Sequence, residues 1–202
     1  MSGAGAAGAG RLWPSALRRR SGEQGATLIE FAIVLPVMLV IAFGLIELGF
    51  AAKSSSTVTG ASRTGARLAS STYADAVETG SSTEINTAME NLRLSVERDL
   101  GGLPDRATPV TMWVYEANAA GDPTGGATCT SSCMRYTWNA GTGHFNSSYS
   151  GSWTDPVSCG TAVDYVGVRI TAIHEIDSPF LNNVTVVRDT TMRVEPVVGA
   201  SC

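Results

Sequence analysis

Gly25-Ala26-Thr27-Leu28-Ile29-Glu30-Phe31-Ala32-Ile33-Val34-Leu35-Pro36 opens the most apolar stretch of the chain, and its reading decides the fold. From Phe31 to Ile46 sixteen uncharged, mostly aliphatic residues follow one another. Extended through Glu30 and Glu47 to Ala52, they make a helix of about 40 Å at about 1.5 Å per residue, enough to cross a bilayer. Residues 26–52 are therefore expected to be a transmembrane helix, bent or loosened at Pro36, which removes one helical hydrogen bond. A carboxylate at the head of such a segment is costly unless it finds a partner, so Glu30 is a functional candidate. Glu47 lies roughly 25 Å further along the axis and is expected to be an ordinary acid at the outer interface.

On the amino-terminal side, residues 1–25 read as a disordered basic leader: Gly and Ala alternate without periodicity, then Arg11, Arg18, Arg19 and Arg20 face a single acid, Glu23. That Arg cluster, against the lone Lys53 on the far flank, orients the amino end to the cytoplasm and residues 53–202 outward. Gly3, Gly5 and Gly8 match a dinucleotide-binding spacing, but no strand can precede them.

On the carboxy-terminal side, Val58, Ala61, Gly65, Leu68 and Ala69 recur at helical spacing, so the helix is expected to continue outward through residues 54–72. Ala61, Gly65 and Ala69 form a small-xxx-small series that lets another helix approach closely. A second helix begins at a capping box, Ser81 with Glu84. It carries the apolar stripe Ile85, Met89, Leu92, Val96 and Leu100, stops at Gly101, Gly102 and Pro104, and should cover a sheet. Four strands are expected at 110–117, 133–138, 163–174 and 184–195, antiparallel and half-buried from their alternation. The fold class is thus α+β. Two loops, 119–132 and 139–162, separate the strands. The second carries His144, Phe145, Tyr149 and Trp153, which fit a contact surface and a small satellite core equally well.

Charge and cysteines narrow the function. Four of the fourteen Lys and Arg and one of the eighteen acids precede Ala26, leaving ten against seventeen and a formal charge of −7 beyond it. Nucleic acid is an unfavourable partner for such a chain. Cys129, Cys133, Cys159 and Cys202 all follow the apolar run, which suits disulfides in an oxidising compartment, with three pairings open. Zinc would need ligand spacing and a nearby histidine that the sequence lacks. Enzyme motifs fail: there is no Gly-x-Ser-x-Gly, no Ser-x-x-Lys, and His174-Glu175 continues as Ile176-Asp177-Ser178 rather than a zinc-protease pattern. No catalytic residue, cofactor, metal or small-molecule substrate is expected, and His144 and His174 read as structural or exposed.

The block from Gly25 to Pro36 resembles the opening of TadE-like pseudopilins of the tight-adherence (Flp) pilus system. Ala61-Ser62-Arg63-Thr64-Gly65-Ala66-Arg67 is similar to the helical stretch after the anchor in that family, and Met192-Arg193-Val194-Glu195-Pro196 to its usual ending. The resemblance implies a pilin-like fold and a minor, noncatalytic subunit, cut by a prepilin peptidase between Gly25 and Ala26 and held in the cytoplasmic membrane or built into a pilus. Its partners would be that peptidase, other pilin-like subunits, pilus assembly proteins and membrane lipid. Glu30 would then neutralise the new amine on Ala26 of its own or a neighbouring chain, at about 1 kcal/mol in water and about 4 kcal/mol at an effective dielectric near 20 for a 4 Å pair, the alternative being a carboxylate solvated at headgroup level. The Ala/Gly-rich start departs from the family's leaders and suggests an initiation codon later than Met1. A second reading is a secreted soluble domain whose signal peptide is cut around Gly49 to Ala52, against which Glu30, Glu47 and Pro36 count. A third is a membrane-anchored enzyme or ligand-binding module with its site in the long loop.

Overall fold

The structure, a computed structural model, describes residues 21–73, 82–151, 165–176 and 182–194. The leader up to residue 20, Ser81 of the capping box, Trp153, Cys159 and Cys202 lie outside them, as do the outer ends of the third and fourth expected strands, 163–164 and 195. The chain divides into two units, residues 1–46 and 47–202.

Helix α1 is Ser21–Leu68 and continues as a π-helical turn, Ala69–Tyr73. Pro36 stands inside it. In the first unit the apolar side chains are exposed, Ile33 at 69 % and Val40 at 71 % among them, and none of the most apolar window is buried. Such a surface has no stable home in water. Among the described residues one helix is long and apolar enough to cross a membrane.

The second unit is built from the rest of α1, helix α2 (Ser82–Leu100) and five strands: β1 (Ala107–Ala117), β2 (Cys133–Asn139), β3 (His144–Phe145), β4 (Tyr165–His174) and β5 (Val184–Arg193). They form one antiparallel sheet in the order β3-β2-β1-β4-β5. The expected four strands are therefore five, because two residues of the long second loop return to the edge of β2, Phe145 opposite Trp138. β1 starts three residues before the expected 110. Proline has no N–H for a ladder, yet Pro109 is tolerated because β2 pairs only from Thr111 and the register with β4 shifts between 109 and 111.

One face of the sheet carries Met112, Val114, Tyr136, Val168 and Ile170 against Val58, Ala61 and Ala69 of α1 and its π turn, and Met89, Leu92, Val96 and Leu100 of α2. The stripe on α2 buries the residues its periodicity singles out, with Ile85 at the rim. Gly65 is where α1 comes closest to its neighbours: a Cβ there would lie 2.9 Å from Val96 Cγ2 and 3.0 Å from Val168 Cγ1. Gly65→Leu is expected to cost about 1–3 kcal/mol through overpacking, read as a lower thermal midpoint.

Candidate functional site

The residues singled out at the amino-terminal end of the apolar helix share one exposed segment. Gly25, Ala26 and Glu30 all lie on α1 and all are exposed. Glu30 stands one helical turn from Ala26, the spacing at which neighbours on a helix surface meet. A Cβ at Gly25 would touch nothing, so the fold itself does not require glycine there.

Ala61, Gly65 and Ala69 lie in the second unit, where Ala61 and Ala69 are buried in the core and Gly65 meets α2 and β4. The surface these three offer is taken by the chain's own second helix and sheet.

Glu47 is half-buried at the head of the second unit. Arg106 Nη1 donates to its Oε1 at 2.7 Å, and its Oε2 stands 3.7 Å from His174 Nε2. The His174 ring is fully buried, with Nδ1 3.3 Å from Ser54 Oγ, and Ser54 donates to the Phe50 carbonyl at 3.0 Å. Serine, histidine and glutamate in a row suggest hydrolysis, but Ser54 is itself fully buried and gives its proton to the helix backbone. The trio ties β4 to α1. The ordinary interfacial acid expected at 47 is part of a polar cluster, because the turn before β1 brings Arg106 to it.

A second polar cluster clamps β3 to α2. Arg93 pairs with Glu90 and Glu97 and donates to the Phe145 carbonyl at 3.2 Å, while Glu97 accepts from the Phe145 N–H at 2.7 Å and faces His144 Nδ1 at 3.0 Å. Only about a tenth of the Arg93 and Glu97 side chains is exposed. The hydrogen bond from Arg93 holds the Glu90 carboxyl below its ordinary value, and Glu90, with Glu97 beside it, raises the guanidinium above its own. Phe145 is buried edge-on to Trp138 in the main core, whereas Tyr149 packs on Tyr136 and stays partly exposed. The loop aromatics thus divide between core and surface.

On the other face of the sheet Tyr115, Ala117, Cys129 and Cys133 form a small cluster flanked by Trp113 and Tyr165. Cys129 and Cys133 are joined by a disulfide. Arg169 lies 5.4 Å from the Trp113 ring and 5.6 Å from the Tyr115 ring, with Asp189 at 3.5 Å. Burial first, then the Asp189 charge, pushes the Tyr115 hydroxyl up to about 12. A folded value above the unfolded value of about 10 means the unfolded chain loses this proton first, so stability is whole below about pH 10 and falls as pH rises toward 12. Chemical denaturation at a series of pH values, with the tyrosinate absorbance of a Tyr115→Phe control, is expected to show that fall in the parent alone.

Among the described residues no group of three His, Cys, Asp or Glu is placed to hold a metal. What distinguishes the chain is the run from Gly25 into the second unit. Residues 25–67 match the family model of TadE-like protein. The match starts at Gly25 and ends at Arg67, so it covers the glycine, Glu30, the apolar surface and the small-residue series, and none of α2 or the sheet. No curated protein and no solved structure matches the chain. The TadE-like match suggests a protein associated with the Tad pilus.

Proposed function

We propose that this chain is a minor pilin or pseudopilin of a tight-adherence (Flp-type) pilus, contributing to pilus assembly and surface adhesion without catalysing a reaction. A prepilin peptidase cuts between Gly25 and Ala26, residues 26–52 hold the product in the cytoplasmic membrane with its amino end inside, and the α+β unit faces outward. The observation that carries this reading is the TadE-like match beginning at Gly25 on a helix whose large apolar side chains from Leu28 to Phe50 are left exposed. Lipid covers them before assembly, and the helices of other pilin-like subunits cover them afterwards. Glu30 pays for its place in that bundle by neutralising the Ala26 amine of its own or a neighbouring chain.

The test is complementation of a deletion strain. The intact gene should restore pili and adhesion, and Glu30→Leu should leave cleavage intact while piliation falls well below the parent level. Full piliation in the deletion strain would remove the chain from the pilus, and full piliation by Glu30→Leu would remove Glu30 from assembly.

A further inference from the structure

We infer that the groove between α1 and α2 beside Arg67 and Arg98 binds an acidic segment of a partner protein. The groove measures about 530 Å³ and is lined by Thr64, Arg67, Ser71, Ser95, Arg98 and Asp99. Beyond residue 25 the chain is acidic, and several of its arginines are engaged, Arg93 with Glu90 and Glu97, Arg106 with Glu47, Arg169 with Asp189 and Arg188 with the Ser55 hydroxyl, while the exposed Arg135 and Arg193 stand on separate strands, β2 and β5, and not side by side in a groove. Arg67 and Arg98 are exposed and form no ion pair among the described residues, although Asp99 lines the same groove. Arg63, one turn before Arg67, is also exposed but does not line the groove. Two guanidinium forks against one carboxylate leave a surplus that carboxylates of a second chain would satisfy in bidentate fashion.

The shape favours a chain segment over a small ion. Thr64 to Ser71 spans seven residues, about 10 Å along the helix, which is the reach of about three extended residues. A phosphate would fill one end only. Headgroups at the level of Glu47 are out of reach, since Arg67 stands twenty residues and about 30 Å further along α1. The proposal gives the chemistry of one partner contact within the assembly reading above, and it does not depend on peptidase cleavage.

The test is fluorescence anisotropy of a labelled hexa-aspartate peptide titrated with the full-length chain in detergent micelles, with hexa-asparagine as control. Saturable binding of hexa-aspartate alone is expected, weakened about tenfold or more by Arg67→Glu/Arg98→Glu and by salt raised from about 0.05 to 0.5 M. Both side chains are exposed, so the double variant should unfold at the parent temperature. Arg67→Gln/Arg98→Gln should show the same loss if the charge reversal disturbs folding. Absence of saturable binding, equal binding by the variants, or displacement by inorganic phosphate at equal concentration would each overturn the proposal. None of these outcomes bears on where the mature chain begins, which tests the pilus reading separately.

Discussion

Arg93→Met is expected to lower the stability of the 47–202 unit by about 3–5 kcal/mol, seen as a large drop in the urea midpoint of the chain in micelles. Arg93 and Glu97 are nearly buried, and removing the guanidinium leaves Glu97 charged among α2, Phe145 and His144 with its main cation gone. The Phe145 carbonyl loses its donor in the same step. Removing both partners, as Arg93→Met/Glu97→Met, should cost less than Arg93→Met alone, because no orphaned carboxylate remains. An Arg93→Met chain within about 1 kcal/mol of the parent would mean that β3 is held by the packing of Phe145 on Trp138 and not by charge.

Gly167→Ala is expected to cost at least about 3 kcal/mol. Tyr115 and Gly167 are directly paired across β1 and β4, and the tyrosine ring lies over the glycine, so a Cβ there would stand 2.2 Å from Tyr115 Cζ. The ring cannot yield cheaply: it is fully buried, packs in one cluster with the Cys129–Cys133 disulfide, sits under Arg169 and donates to the Gly121 carbonyl at 3.4 Å. Overpacking of this kind displaces a whole aromatic side chain and not a single methyl. Tyr115→Leu/Gly167→Ala should recover part of the loss. Retention of the parent unfolding midpoint by Gly167→Ala would show that the outer cluster is loosely packed.

These sites also show what could be read from residues alone. The stripe from Ile85 to Leu100 announces α2 and its buried face, and the alternation in 166–170 and 184–194 announces the last two strands, because both periods are local. β3 has two residues and no period of its own. It exists because Glu97 and Arg93 on α2 satisfy the backbone of Phe145, a pairing 48 and 52 positions apart. The start of β1 was hidden by Pro109, whose cost is met by a bulge. Gly25, Ala26 and Glu30 stand out because their chemistry is sequential. Glu47, Arg106 and His174 do not, since only the folded turn before β1 and the end of β4 bring them together. The i,i+3 and i,i+4 spacing of Glu90, Arg93 and Glu97 was a usable signal for the α2 clamp.

On the proposed reading, residues 26–52 stay with the mature chain as an anchor after a cut at Gly25. A conventional signal-peptide cut near Gly49 to Ala52 would instead discard Glu47, the carboxylate that Arg106 and His174 face. Amino-terminal sequencing of the mature chain, taken separately from membrane and soluble fractions, decides between them. A start at Ala26 in the membrane fraction is expected; a start near Ala52 in the soluble fraction would overturn the anchor and leave a secreted domain.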